Sequence, residues 1–595
     1  MHRDRHVRPA EEAARDGRPR ARGPHDRYPR GGEAMTTRTD KERMLQVQLG
    51  DRTVEVLYGT SVHQLFTQFL SPEEFKESIA AIVQNRTYGL TFPLRADCRV
   101  SPITVADRHG ASVYRRSASL MLLEAVKRVC PPGAKLIVGQ SIQDGYLYNL
   151  TGLPEGMTKE LIARINEEMR RICDENHPFV VESLSVPDVK KMLLEVDQPE
   201  KVNLLRIHWE PQVRIVRCAS SFDLFHEPYA PSTSYIDTFE ITPYWPGMVL
   251  RLPSRGAKVI RGKIAQLPRL FQSYTETRAW NKMLGVENLG QLNEVTLGGD
   301  IKTIVQVAEG LHEKKIALIA DAIATRRPDV QLVMIAGPSS SGKTTFSKRL
   351  GIQLQVLGLR PVTIEMDNFF VERDQTPRDE RGDFDFESIE AIDIDLFNDV
   401  LVKLLDGDEA LVPIFDFKTG CKRPREEWVP HRMAQDQILI IEGIHGLNDR
   451  LTQGVLSHRK YKIYISALTQ LCIDDHNRIF TSDSRLIRRI VRDRNFRGYG
   501  AAETIKRWPS VRKGELKNIF PFQEHADVMF NSALVYEPGV LKSVCERALL
   551  EVPPDDEAFV EAYRLLRFLR LVMPISKQLV PPNSILREFI GYSSF

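Results

Sequence analysis

From about Val330 onward the chain alternates short apolar runs with amphipathic ones. QLVMIAG, PVTIEM, QILIIEG and YKIYIS are strand-like; helical patterns follow Lys343, fill ESIEAIDIDLFNDVLVKLL and return as the basic SRLIRRIVRDR. Apolar strands separated by helices predict a parallel sheet covered on both faces, an α/β domain over 325–575. Upstream the rhythm differs. Over 44–105, MLQVQLG and RTVEVLYG surround SVHQLFTQFL, which predicts a small sheet with one helix. Over 106–300 the pattern is mixed α+β, with helices near ASLMLLEAVKRV and MTKELIARINEEMRRICDEN, the second closed by His177-Pro178. A helical linker is expected over 301–324, a C-terminal tail over 576–595, and a disordered tail over 1–43, where Arg, Pro and Gly abound and large apolar side chains are nearly absent. Translation beginning at Met35 or Met44 rather than Met1 is consistent with that tail.

Length and charge narrow the picture. At roughly 150 residues per domain, 595 residues suggest about four domains. Hydrophobic residues at 42% and charged residues at 27% are ordinary for folded chains, which excludes wholesale disorder. A formal charge of +3 excludes a chain that is basic throughout, so any basic function is local. The seven cysteines are scattered without a CxxC pair, so reduced thiols are expected. No apolar run reaches the length of a membrane span and no signal-peptide core is visible, so a cytoplasmic location without membrane contact is expected.

The strongest chemistry lies in Gly337-Pro-Ser-Ser-Ser-Gly342-Lys343-Thr344, which fits G-x-x-x-x-G-K-[ST] between a strand and a helix. Backbone N–H groups of Gly337, Ser339, Ser340, Ser341, Gly342 and Thr345 are expected to cradle ATP phosphates, Lys343 to reach the β- and γ-phosphates, and Thr344 to ligate Mg²⁺. Open α/β sheets bind ligands beyond the carboxyl ends of their strands, where two acids stand. Asp367 follows PVTIEM, as an acceptor or positioner of a hydroxyl proton, as help for Mg²⁺, or as a plain turn or cap residue. Glu442 ends QILIIE, as a partner of Mg²⁺ or an ordinary strand-terminal acid. Arg485, Arg488, Arg489 and Arg492 fall on one helical face and Arg497 follows, an arrangement suited to polyphosphate or to a solvated, paired surface.

Taken in order, GPSSSGKTT, MDNFF, GDFDFESIEAID, PIFDFKTGCKR, ILIIEGIHGL and RLIRRIVRDRNFRG resemble the uridine kinase branch of the phosphoribulokinase/uridine kinase family. The resemblance implies a P-loop kinase fold, with Asp367 as base toward a nucleoside 5′-hydroxyl, Asp385 on the ribose hydroxyls, Arg489 on substrate and Arg497 on ATP. Base recognition departs from the pattern: Phe415 and Phe417 flank Asp416 where pyrimidine kinases have a Tyr, Gly420 replaces a His, and Tyr499 an arginine. Residues 44–105 resemble a TGS domain, a β-grasp module, and the stretch to about 255 resembles the editing-type domain of threonyl-tRNA synthetases. At the four positions where that domain carries metal-ligating His and Cys, this chain has Arg116, Leu120, Phe225 and Tyr229, so hydrolytic editing is not expected, and His226 is read as an ordinary histidine. The combined expectation is a multidomain protein: an ATP- and Mg²⁺-dependent nucleoside kinase behind a β-grasp and an editing-like α+β domain, with tRNA or RNA as the implied partner of the N-terminal half. Its rivals are a kinase of the same family for another small hydroxyl compound and an ATP-binding RNA-linked regulator. The resemblance leans toward a homo-oligomer, which no residue requires.

Overall fold

The computed structural model describes residues 43–253, 259–378, 382, 384–416 and 419–595, so the expected 1–43 tail, apart from Arg43, and Phe417 lie outside the described residues. The chain begins with a mixed five-stranded sheet in the order Arg52–Leu57, Met44–Leu49, Cys98–Thr104, Ser78–Val83, Arg86–Tyr88, with Met44–Leu49 and Cys98–Thr104 parallel. The helix Val62–Phe69 closes one face through Val62, Leu65 and Phe66, and Ser61 caps it in a reciprocal pair with Gln64.

A four-stranded and a three-stranded antiparallel sheet follow, packed with the helices Arg108–Val129 and Lys159–Glu175. Lys159–Glu175 starts at Thr158, whose side chain accepts from Leu161 N, and ends on Asn176 in the left-handed conformation, just before His177-Pro178.

The third region is the expected parallel sheet. Its order is Arg360–Glu365, Gln437–Glu442, Leu332–Ala336, Lys460–Ser466, Val528–Asn531, with every neighbouring pair parallel. Leu332–Ala336 is central and buried at all five positions, which explains its unbroken apolar sequence. The short edge strand Val528–Asn531 has too few residues to show a pattern, and sequence reading passes over it.

Two segments sit differently from their sequence reading. Ile301–Thr325, expected as a linker, is a helix that buries Ile316, Ile319, Ala320 and Ile323 and packs along Lys343–Val356. The 576–595 stretch, expected as a tail, is folded onto the sheet with Ile585, Leu586 and Phe589 fully buried. One hydrophobic core runs from Val189, Leu193, Ile215 and Phe222 of the N-terminal half into Val333, Ile335 and Phe346 of the parallel sheet region. The two halves therefore share buried surface rather than hanging on a tether.

That seam also holds a buried polar knot. Lys201 Nζ donates to Asp223 Oδ1 and lies 2.8 Å from His476 Nδ1 and 3.9 Å from Asp474 Oδ1, with Lys201 and Asp474 fully buried. Asp223, Asp474 and His476 present three oxygen and nitrogen atoms close enough together for a metal ion, but the Lys201 ammonium occupies that position. Burial alone would raise both aspartate pKa values; the ammonium outweighs it and holds them low.

Candidate functional site

Register explains why the chemistry gathers at one end of the parallel sheet. Ile335 pairs with Glu442, and Glu442 with Glu365, so the loop after Ala336, the Glu442 side chain and the turn bearing Asp367 all leave the sheet together. From Leu332–Ala336 the chain moves toward one edge, and from Gln437–Glu442 it crosses to the other. The crevice between these two strands is where an open α/β sheet receives its ligand.

The phosphate loop is held by close approach. A side chain at Gly337 would lie 2.0 Å from Ile465 O, and one at Gly342, whose φ is +88°, would lie 2.5 Å from Ile585 Cγ2. Ser340 also takes a positive φ of 59°. Lys343 begins the helix Lys343–Val356 and donates to Gly337 O at 3.0 Å. Burial lowers its pKa against the opposing fields of Glu442, Glu588 and Asp367. Among the described residues no carboxylate is bonded to the ammonium, which donates to Gly337 O and stands available to an anion. The Ser340 and Ser341 hydroxyls are buried without a hydrogen-bond partner among the described residues. Unpartnered buried donors in a glycine-bounded loop at a helix N-terminus fit a bound phosphate chain.

Thr344 Oγ1 donates to Glu442 Oε1 at 2.9 Å, while Glu442 Oε2 is buried and unpartnered among the described residues. Burial raises the Glu442 pKa against the pull of Lys343 and the Thr344 hydrogen bond. A hydroxyl beside a carboxylate with a spare oxygen suits Mg²⁺, which takes one or two protein oxygens and fills its remaining positions with phosphate and water. Thr344 and Glu442 are the residues that would hold it.

Asp367 sits in the short turn Met366–Phe369 after Arg360–Glu365. Its side chain reaches solvent from within a cleft, and surrounding protein raises its pKa against the pull of Lys343 and Arg497. Asp385 binds its own turn: Glu387 N donates to Asp385 Oδ1 at 3.2 Å. Glu387, which sequence reading missed, feels Arg489, Lys343, Asp385 and Asp367, and burial raises its pKa. Only its place two residues after Asp385 hinted at it. Phe415 is buried, its N–H donates to Asn368 Oδ1 at 3.3 Å, and its ring centroid lies 5.7 Å from that of Phe370.

The expected arginine face divides. In the helix Thr481–Arg492, Arg485 and Arg488 are fully buried, bound to Glu515 and Glu537. They also donate to Ser339 O at 3.0 Å and to Ser340 O at 3.3 Å, so they brace the phosphate loop from behind rather than face the cleft. Arg489 Nη1 donates to the Ser339 hydroxyl at 3.0 Å. Arg497 is half exposed, 3.6 Å from Asp493. Spacing placed all four helical arginines on one face, but tertiary partners assign two of them to the core.

The C-terminal segment supplies an unexpected neighbour. Glu588, in the turn Arg587–Ile590, accepts from Thr345 Oγ1 at 3.1 Å and from Thr345 N at 3.4 Å. An anion thus already sits on a donor that the loop offers to phosphate. The readable signal was the spacing of Ile585, Leu586, Phe589 and Ile590. Removing the carboxylate charge with Glu588→Gln should tighten ATP binding about tenfold, worth about 1.4 kcal/mol. Equilibrium dialysis reads this directly, and equal or weaker binding would show that Glu588 does not compete with the nucleotide.

In the N-terminal half, three of the four positions of the missing editing ligands, Arg116, Phe225 and Tyr229, lie together. The Arg116 guanidinium lies 5.8 Å from the Tyr229 ring centre, and the Phe225 and Tyr229 rings are 6.2 Å apart. They bring a cation and apolar surface rather than metal donors. His226 reaches across to Asp474 at 3.5 Å.

Residues 332–535 match the model of the Phosphoribulokinase / Uridine kinase family. The N-terminal part is similar to threonine--tRNA ligases. That of Desulforamulus reducens is 31% identical over 212 residues, 34% of this chain and 33% of the ligase. That of Thermotoga neapolitana is 31% identical over 177 residues, 29% of this chain and 27% of the ligase. The chain thus spans about a third of the length of the curated relatives it matches. Among solved structures, a possible uridine kinase from Bacillus stearothermophilus aligns with 36% of this chain and 97% of its own at 17% identity and a TM-score of 0.25.

Proposed function

We propose that the protein is an ATP- and Mg²⁺-dependent kinase that phosphorylates the 5′-hydroxyl of a nucleoside. The observation that carries the reading is the convergence of Lys343, the Thr344–Glu442 pair, Asp367 and Arg489 on one crevice beyond the parallel sheet, within the segment matching the kinase family model. Phosphoryl transfer asks little covalent chemistry of a protein and much positioning and charge stabilisation. Mg²⁺, when bound, neutralises charge on the phosphate oxygens. The backbone of Gly337–Thr345 and Lys343 hold the phosphates, Arg489 and Arg497 screen developing charge, and Asp367 accepts the hydroxyl proton. Asp385 and the Phe415 side orient the acceptor. On this reading residues 44–105 are a TGS-like β-grasp module and the following α+β region is an editing-like scaffold without its metal ligands.

ADP release with ATP and Mg²⁺ against a panel of nucleosides, ribose, ribulose 5-phosphate and pantothenate tests the proposal, with Lys343→Ala as control. Turnover with a nucleoside, lost in the variant, is the expected result; turnover with another hydroxyl compound alone would keep the kinase and replace its substrate. The similarity to threonine--tRNA ligases favours a second reading, an ATP-binding RNA-linked regulator. Silence across the panel together with tight tRNA binding would select it.

A further inference from the structure

Away from the phosphate loop, a cavity of about 980 Å³ opens between the N-terminal half and the kinase-like region. Its walls come from the helices Arg108–Val129 and Phe559–Leu569, the strand Gln212–Cys218 and the segment around Arg478. The charge on those walls is lopsided. Arg86, Arg115, Arg214 and Arg478 line the cavity, and among the described residues none of the four has a carboxylate within salt-bridge distance. Four acids also line it: Asp483 and Glu227 are engaged by Arg564 at 2.7 Å and by Arg567 at 3.4 Å, and Glu210 and Glu546 lie beyond salt-bridge distance of these four arginines.

The unpaired guanidiniums are also badly placed for a protein at rest. Arg478 Nε and Nη1 and Arg86 Nε are buried with no hydrogen-bond partner among the described residues. Arg115 and Arg478 both lie against the Tyr146 ring, 4.8 Å and 5.2 Å from its centre. Arg214 rests 4.6 Å from the centre of Phe225, and burial lowers its pKa. Like charges gathered without counter-ions cost stability, and polar groups left unsatisfied in a fold are characteristic of sites that await a ligand. The volume lies at the upper end of the range for small-molecule sites, and the aromatic faces beside the cations provide for stacking as well as charge.

We propose that this cavity binds a nucleoside di- or triphosphate, its phosphates on Arg115, Arg214 and Arg478 and its base against Tyr146 or Phe225, at a site separate from the phosphate loop. Phosphates present several acceptor oxygens to forked guanidinium donors, which is the pairing these arginines lack. Four arginines without an ion-pair partner among the described residues match a di- or triphosphate better than a single carboxylate, and a cavity of about 980 Å³ matches the size of a nucleotide.

The test counts sites on the full chain by equilibrium dialysis with ATP, GTP, CTP and UTP as probes. At least one should bind at a site that survives Lys343→Ala, so that ATP occupies two sites per chain, or another nucleotide one. The double variant Arg115→Ala/Arg478→Ala should weaken that site at least 30-fold and leave the one removed by Lys343→Ala intact. The same double variant should melt at a higher temperature than the wild-type protein in the absence of nucleotide, because it relieves repulsion. Arginines with a purely structural role would give the opposite shift. Binding confined to one site that Lys343→Ala abolishes overturns the proposal. So does a 12-nucleotide single-stranded RNA that binds the cavity, by the same variants, while all four nucleotides fail. Because the cavity site is read in the Lys343→Ala background, its failure is distinguishable from failure of the kinase reading.

Discussion

Asp367→Asn should lower kcat by a factor of about 10² to 10⁴, the range for loss of a general base, while leaving the Kd for ATP unchanged. The side chain stands beyond the Arg360–Glu365 strand, in the field of Lys343 and Arg497 but hydrogen-bonded to neither among the described residues, so an isosteric amide disturbs little else. Desolvation by the surrounding protein raises the Asp367 pKa. A base works only when deprotonated, so activity should rise with pH along a limb above the ordinary aspartate range, and that limb should vanish in the variant. Near-normal turnover in Asp367→Asn would remove the base from the mechanism and shift attention to Glu387, a second carboxylate in the fields of Lys343 and Arg489 whose pKa burial raises.

Lys201→Met should destabilise the folded chain by about 3–5 kcal/mol, the cost of leaving buried charge uncompensated. The ammonium is fully buried and binds Asp223, with His476 at 2.8 Å. Because Lys201 and Asp223 belong to one half and Asp474 and His476 to the other, the loss should appear as separated unfolding of the two regions in calorimetry. Adding Asp223→Asn to Lys201→Met should recover part of the loss, since one orphaned charge is then removed. The aspartates carry folded pKa values below their unfolded ones, so their contribution is present above about pH 4 and fades as pH falls below it. A Lys201→Met protein within 1 kcal/mol of the wild type would mean that the knot contributes nothing net.

Much of the candidate site was legible in residue order. The P-loop motif, the acids at two strand ends and the helical arginines are local signals, because each depends on what immediately precedes or follows a strand. Glu387 and Glu588 were only hinted at by neighbouring residues: their positions relative to Arg489 and Thr345 arise because distant segments fold together. Arg485 and Arg488 looked equivalent to Arg489, and spacing alone places them all on one face. Their difference lies in Glu515 and Glu537, which the fold brings from later helices.

The amino-acid sequence by itself determined four of the five parallel strands, the phosphate loop after the first of them, and the absence of metal donors at Arg116, Leu120, Phe225 and Tyr229. Hydrophobic periodicity and backbone demands act over a few residues, so they are written where they operate. Tertiary structure alone decided that Ile301–Thr325 is core rather than linker, that the C-terminal segment closes on Gly342 and Thr345, and that the two halves share one core pinned by Lys201. It also decided that four arginines line one cavity with no carboxylate within salt-bridge distance of them among the described residues. Burial and long-range charge pairing depend on which surfaces meet, and no local pattern encodes that.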